Sequence, residues 1–471
     1  MIEASDLCAA LRQVVGAGHV FSKDGIEPRY KLDETHGASA EPAFLVRPAS
    51  TGQVSAVLGV CNRFRQAVVP QGGRTGMARA ALPQAAELIL SLERMRAVEE
   101  IDEQAFTMTV QAGATLAAVQ EAAAKASLFF PVDIGARGSC TIGGMIATNA
   151  GGNQVLRYGM MRDNVLGVEV VLADGTVLPM LNKMLKNNAG FDLKQLFIGS
   201  EGTLGISTRA VLRLRPEAPR RTGALCALES YESVVSLLRR IERLLPSRLT
   251  AFEVMWQGYY RAACRAVGGS PPCSDGHPLF VLLEIVEADA QDSVAETLAA
   301  AIEAGIISDA VVTQSDAELG KLWQIRDAIG RLVAGMKLVE PFDVSIPIGN
   351  IGKFVEYLSE RLTADIPGCQ ALFFGHIADS NLHLALELPV ESARQLAEER
   401  VYGAVREFSG SISAEHGIGM LKRSYLGYTR SAPEIALMRQ LRGVLDPNGI
   451  LSPGRVVAAE DRNSNRSSGG S

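Results

Sequence analysis

The 471-residue chain has no CxxC pair: its cysteines (Cys8, Cys61, Cys140, Cys226, Cys264, Cys273 and Cys369) are dispersed. Their spacing excludes a zinc ribbon, an iron–sulfur ligand set and a regular disulfide framework, and an odd, scattered set indicates reduced thiols in the cytoplasm. Positive charge is not in excess either. A formal charge of −6 argues against a nucleic-acid binder, which would show a basic face. No run of about 18 apolar residues occurs, so no membrane span is expected. Glu3 and Asp6 stand where a secretory leader would be positive. GxxxxGK[ST] and GxGxxG are both missing, so the chain carries neither a P-loop nor a Rossmann fingerprint.

The composition is that of a globular protein, 47% hydrophobic and 21% charged. A chain of this length implies two or three domains. After an opening helix, Phe44–Val46 and Val68-Val69 read as strands around a helix carrying Val54, Val57, Leu58 and Cys61 on one face. Further strands are expected at Leu88–Leu92, Thr107–Gln111, Val168–Leu172 and Val211–Leu214, with a helix at Thr115–Ala126. Asp174-Gly175 gives a hairpin turn. Beyond Pro216–Pro219 the pattern becomes strand Gly223–Leu228, helix Tyr231–Leu245 and strand Leu249–Met255. Strand Leu279–Val286, helix Ala290–Ala304 and strand Ala310–Thr313 follow. Two β-α-β units in series indicate a second, antiparallel α+β domain. Strands Ala371–Phe374 and Leu382–Leu388 then precede helices over 391–408 and 432–445, and the end from Glu460 reads as a disordered polar tail.

Three glycine clusters follow strands or join helices. Pro70-Gln71-Gly72-Gly73-Arg74-Thr75-Gly76 is one; alone it reads as a plain turn as readily as an anion-binding nest. The run from Asp133 and Gly135 through Ser139, Cys140, Thr141, Gly143 and Gly144 to Thr148, Asn149, Gly151 and Gly152 is the second. So many small residues suit a backbone pressed against a flat, extended ligand. The third is Phe197-Ile198-Gly199-Ser200-Glu201-Gly202-Thr203-Leu204-Gly205-Ile206.

The second half holds Gly375-His376-Ile377-Ala378-Asp379-Ser380-Asn381-Leu382-His383 and Ser413-Ala414-Glu415-His416-Gly417-Ile418-Gly419. Seven residues apart on one strand, His376 and His383 would face opposite ways. A reversal at Asp379-Ser380-Asn381 sets them on neighbouring strands instead. Two imidazoles with Glu415 suit Zn, with Mn as the alternative; a polar core is the other reading of the pair.

Together, GSCTIGGMIATNAGGNQVLRYG, LKQLFIGSEGTLGI and LDPNGILSPGRV, over about residues 38–456, resemble the vanillyl-alcohol oxidase/PCMH superfamily. The branch is that of D-lactate and D-2-hydroxyglutarate dehydrogenases and the glycolate oxidase flavin subunit. The resemblance implies an α+β fold: a PCMH-type FAD-binding domain of two subdomains, a ferredoxin-like antiparallel substrate (cap) domain, and a C-terminal segment returning to the FAD site. The expected divisions are 1–37 (N-terminal helical segment), 38–217 (FAD binding), 218–430 (cap with metal site), 431–457 (C-terminal segment) and 458–471 (tail). It also implies FAD held by the first two glycine clusters, by Tyr158, by Glu201, Gly205 and Ile206, and by Ser452. No histidine stands in the first loop, so FAD is expected to be non-covalent. Two departures are Ala78-Arg79-Ala80, where the family continues with glycine, and Ser452 in the place of an Asn.

By the same resemblance His376, His383 and Glu415 hold the metal, His416 is the catalytic base, and Arg326 in Trp323-Gln324-Ile325-Arg326-Asp327-Ala328 grips the substrate carboxylate. Asn381 is placed with the substrate. The implied reaction moves the C2 hydride of a D-2-hydroxy acid to flavin N5 while His416 takes the hydroxyl proton from a metal-bound alcohol. Enzymes acting on D-2-hydroxyglutarate carry polar residues where this chain has Gly330, Pro341 and Ala385. The absent donors favour a D-lactate-like or less polar acid. With no iron–sulfur or haem motif, electrons must leave to an external acceptor: a quinone, an electron-transfer flavoprotein or a partner subunit. A homodimer is compatible with the sequence. The rival readings are a non-redox metalloenzyme and a flavin subunit that turns over only with partner chains.

Overall fold

The protein is described here by a computed structural model covering residues 4–35, 37, 39–216, 221–286 and 292–457. The polar tail beyond 457 and the start of the helix expected at Ala290 lie outside these residues. The chain divides into two units, one of residues 4–152, 160–216 and 415–457, the other of 153–159 and 221–414.

The first unit is built on two sheets. In the smaller, strands Phe44–Val46, Leu88–Ser91 and Val68–Gln71 run parallel, and Val20–Ser22 adds an antiparallel edge. Both faces of its central strand are buried, which is why Leu88-Ile89-Leu90 is continuously apolar. Helix Thr51–Phe64 supplies the parallel crossover. Ser50 caps its start by accepting from the Gln53 N–H, and Val54, Val57, Leu58 and Cys61 form its buried stripe. Ile450 and Ser452 extend the sheet by bonding to Val68 (N–H···O 2.7 and 2.8 Å). The larger sheet is antiparallel in the order Val98–Asp102, Thr107–Gln111, Ile206–Arg213, Val165–Val171, Val177–Met180. Its last hairpin turns at Asp174-Gly175, with Gly175 at φ 92°, as the Asp-Gly signal requires.

The second unit is a seven-stranded antiparallel sheet. Its order is Asp309–Val312, Arg221–Leu228, Leu279–Val286, Leu249–Trp256, Gln370–His376, Asn381–Glu387, Val339–Ser345. Leu279–Val286 is buried along its whole length. Helix Tyr231–Leu244 carries Tyr231, Val234, Leu237, Leu238 and Ile241 on its buried face, a 3.6-residue period, and Ser230 caps it. Each such side chain contributes about 1.5–3 kcal/mol when fully buried. The α+β class expected from the sequence is thus observed.

The contact-based division turns at Ala414, whereas the expected cap boundary stood at 430. The EHGIG segment goes with the first unit because Glu201 accepts from the N–H groups of Ile418 (2.7 Å) and Gly419 (2.8 Å), and Ala78 O accepts from Met420 N (2.9 Å).

Candidate active site

In the first unit the glycine loops and the EHGIG segment enclose a cavity of about 340 Å³, within the usual range for small-molecule sites. All of Pro70–Gly76 lines it, with most of the second cluster from Gly135 to Gly151 and Glu201, Gly205 and Ile206 from the third. Glu415 and His416 form part of its wall.

Five residues expected around the cofactor do not line the cavity. Asp133 pairs with Arg137, and Ser139 presents its backbone to Gly73. Asn149 sits in the left-handed conformation at the end of helix Ile142–Thr148, accepting from the Arg162 N–H (2.9 Å). Ser452 is fully buried beside Val68, its Oγ without a partner, and Tyr158 belongs to the second unit.

The glycines serve two purposes. A Cβ at Gly72 would fall 2.2 Å from Thr141 Oγ1, and one at Gly73 would fall 2.0 Å from Ser139 O. These two glycines let one loop pack on the other. Gly76 and Gly135 also line the cavity, yet a Cβ there meets no protein atom within 4 Å. The space beside them is open. Gln71 donates both amide hydrogens to backbone carbonyls (Tyr30 O and Ala81 O, 2.9 Å each), while its buried Oε1 lacks a partner. Arg74 lines the cavity at φ 58°, stacked 5.2 Å from the Tyr30 ring. Burial, then the neighbouring Arg29, lowers its pKa. A cationic side chain, an open amide oxygen and side-chain-free backbone fit an extended cofactor carrying phosphate.

Sequence reasoning missed the anchor of this cavity. Arg455 is wholly buried and uses all five of its N–H donors: Nη1 and Nη2 on the Glu87 carboxylate, the others on the carbonyls of Ala80, Leu82 and Pro453. It ties the C-terminal segment to the end of the first glycine loop. The signal was the arginine in LSPGRV, paired in space with a glutamate flanked by apolar residues.

In the second unit, strand pairing gathers polar side chains onto one face of the sheet. Glu253 lies opposite His376, Phe374 opposite His383, Asp343 opposite His383, and Ser345 opposite Asn381. Because side chains alternate along a strand, Glu253, His376, His383, Asn381 and Asp343 share that face. The hairpin reverses through Ile377–Asp379 and Ser380 (φ 75°), as the Asp379-Ser380-Asn381 turn implied. It brings the two histidine rings to 5.3 Å and their nitrogens within 4.8 Å.

Arg326, at the end of helix Asp316–Arg326, lies over this face and is 7% exposed. Nε donates to Glu253 Oε2 (2.7 Å), Nη1 to Asp327 Oδ1 (3.2 Å) and Nη2 to His376 Nε2 (2.9 Å). A guanidinium only donates, so His376 Nε2 accepts. Nδ1 therefore carries the proton and donates to Glu253 Oε1 (2.6 Å). Burial alone would raise the Glu253 carboxyl, but Arg326 and His376 outweigh it and hold it at about 2. A carboxylate fixing an imidazole from behind is the arrangement around metal-binding histidines, so the donor set fits a divalent ion. Asn381 Oδ1 is buried without a partner. Glu253 and Asp343, which sequence reasoning did not assign, betray themselves as charges inside apolar strands.

An FAD-binding-domain model matches residues 42–180, and the C-terminal domain model of FAD-linked oxidases matches 217–456. The chain belongs to the FAD-linked oxidase family. It is an FAD-dependent dehydrogenase. It is 38% identical over 465 residues to D-2-hydroxyglutarate dehydrogenase of Xanthomonas citri pv. viticola, covering 97% of this chain and 98% of that one. A mitochondrial protein of Schizosaccharomyces pombe, provisionally named D-lactate dehydrogenase, is 36% identical over 443 residues (91% of this chain, 84% of the other). In fold, p-cresol methylhydroxylase superposes with a TM-score of 0.75 at 16% identity, over 96% of this chain and 97% of the other. Among the described residues no helix of this FAD-linked oxidase is long and apolar enough to cross a membrane.

Proposed function

We propose that the protein oxidises a D-2-hydroxy acid to the 2-oxo acid with non-covalent FAD and a divalent metal, and passes the electrons to an external acceptor. The observation that carries the reading is His416 on the wall of the glycine-lined cavity of an FAD-dependent enzyme. Bound FAD supplies the hydride acceptor, and a bound Zn or Mn ion supplies Lewis acidity at the substrate oxygen. The chain's own groups do the rest. His416 accepts the 2-hydroxyl proton, Arg326 holds the carboxylate, and Asn381 offers its open Oδ1 to a substrate hydroxyl. His376 and His383 would hold the metal, with Glu415, bonded to Ala414 at the end of the second unit, as third ligand. All seven cysteines are free thiols, in keeping with a cytoplasmic protein.

For the substrate we favour a D-lactate-like acid over D-2-hydroxyglutarate. Pro341 and Ala385 are direct cross-strand partners beside Asp343 and His383, and neither side chain can bond to a second carboxylate. A Cβ at Gly330 would meet nothing within 4 Å. Relatives named D-2-hydroxyglutarate dehydrogenase support the other choice. Anaerobic titration of the purified protein with D- and L-2-hydroxy acids tests the reaction: D-acids alone should bleach the flavin band near ~450 nm, a property of the oxidised cofactor. Steady-state kcat/KM for D-lactate, D-2-hydroxybutyrate and D-2-hydroxyglutarate tests the substrate. A highest value for D-2-hydroxyglutarate refutes the preference.

A further inference from the structure

Arg326 spends three of its five N–H donors in the second unit, one each from Nε, Nη1 and Nη2, and one of these bonds conflicts with the role proposed for its partner. His376 has a single lone pair in the tautomer that Glu253 enforces. It lies on Nε2, where Arg326 Nη2 donates at 2.9 Å. An imidazole nitrogen cannot accept from a guanidinium and ligate a cation at once.

We infer that Arg326 and a divalent cation compete for the Nε2 lone pair of His376, so that cation binding frees the Nη2 hydrogen now spent on His376 and gives the guanidinium a further donor for the substrate carboxylate. The inference rests on the metal reading above and deepens it. Nη2 stands where the ion's bond to His376 would form, and Nη1 is turned to Asp327. Glu253 is the pivot: Oε2 keeps Nε of Arg326 and Oε1 keeps Nδ1 of His376, so both groups stay in place when the third bond opens. Because the guanidinium is rigid and planar, Nη2 leaves His376 by a tilt of the whole fork about the Nε–H···Oε2 bond, while the backbone stays fixed. That backbone is held by the bond from Tyr259 Oη to Arg326 O (2.5 Å). Cation and carboxylate then bind with positive coupling, each strengthening the other by the same factor, on the order of tenfold.

The test uses the full-length FAD-loaded protein stripped of metal. Zn²⁺ affinity is measured by competition with a chromophoric chelator, and propionate binding by calorimetry with and without Zn²⁺. Propionate has a C1 carboxylate but no 2-hydroxyl. Wild type should bind propionate about tenfold more tightly with Zn²⁺, and Arg326→Met should bind Zn²⁺ more tightly than wild type while losing the coupling. Removing one member of a buried ion pair can prevent folding. The double variant Arg326→Met/Glu253→Gln removes the stranded charge too and should show the same loss of coupling. If wild type and the Arg326 variants bind Zn²⁺ equally, or the coupling survives in them, the competition is refuted and the metal reading stands. If no form binds Zn²⁺ or Mn²⁺, the metal reading falls and takes this inference with it.

Discussion

Removing the Arg455 guanidinium is the sharpest test of how the glycine-lined cavity is held. The side chain is 0% exposed and Glu87 is 2% exposed; five donors meet one carboxylate and three carbonyls with none left over. Arg455→Met keeps most of the volume, strands the Glu87 carboxylate, and frees the carbonyls of Ala80, Leu82 and Pro453. Breaking a buried pair on one side costs about 3–5 kcal/mol. At about 2 °C per kcal/mol for a unit of this size, Tm should fall by about 6–10 °C. Arg455→Met/Glu87→Gln removes the stranded charge and should recover a substantial part of the loss. Because the same arginine ties the chain at 80–82 next to the first glycine loop, FAD should dissociate faster from the single variant. Calorimetry on apo- and holoprotein and flavin-fluorescence release measure both effects. A Tm change below about 2 °C, or a double variant less stable than the single one, would refute the reasoning.

The two classes of glycine separate stability from cofactor binding. Gly73→Ala should lower the Tm of the apoprotein, since its Cβ would sit 2.0 Å from Ser139 O and such overpacking costs about 1–3 kcal/mol. Gly135→Leu should leave the apoprotein's Tm unchanged but weaken FAD tenfold or more, read by flavin fluorescence, because its side chain would grow into the cavity; equal effects of both variants on apoprotein Tm would contradict the division. Burial raises the Glu201 carboxyl above its ordinary value of 4.5, against the pull of the Ile418 and Gly419 N–H groups and Lys422. Glu201 thus contributes most below the unfolded value of about 4.5, and its contribution falls as pH rises through the folded pKa. The Tm difference between wild type and Glu201→Gln should therefore shift against wild type from pH 4.5 to 8, and a difference growing in favour of wild type over that window would show the sign to be wrong.

Elements whose period is strong were legible in the sequence. Thr107–Gln111, Leu279–Val286 and Ala432–Leu445 fall where the pattern puts them, because alternating, continuous and 3.6-residue apolar spacing each admit one solution there. The Asp379-Ser380-Asn381 reversal was legible for the same reason: a short polar turn between two apolar runs leaves the histidines on adjacent strands. Helices Gln257–Val267 and Ile351–Asp365 were not assigned. The first has a tyrosine pair with Arg261 and Arg265 inside it in place of a plain apolar stripe, and the second lacks a side-chain N-cap.

What the sequence could not show is which atoms the charged residues already hold. WQIRDA offered Arg326 as an open fork for a carboxylate, yet folding commits three of its five donors to Glu253, Asp327 and His376. Glu253 comes from a strand 73 residues earlier in the chain, and no local pattern links it to Arg326. Its burial would be costly by itself; two cationic or hydrogen-bonding partners make it tolerable and in turn fix the tautomer of His376. An event that frees the Nη2 bond to His376 would give the catalytic reading of Arg326 a further donor for the carboxylate. A cation on His376 would do so with the groups already in contact, and on the inference above metal binding and substrate capture would form one coupled step.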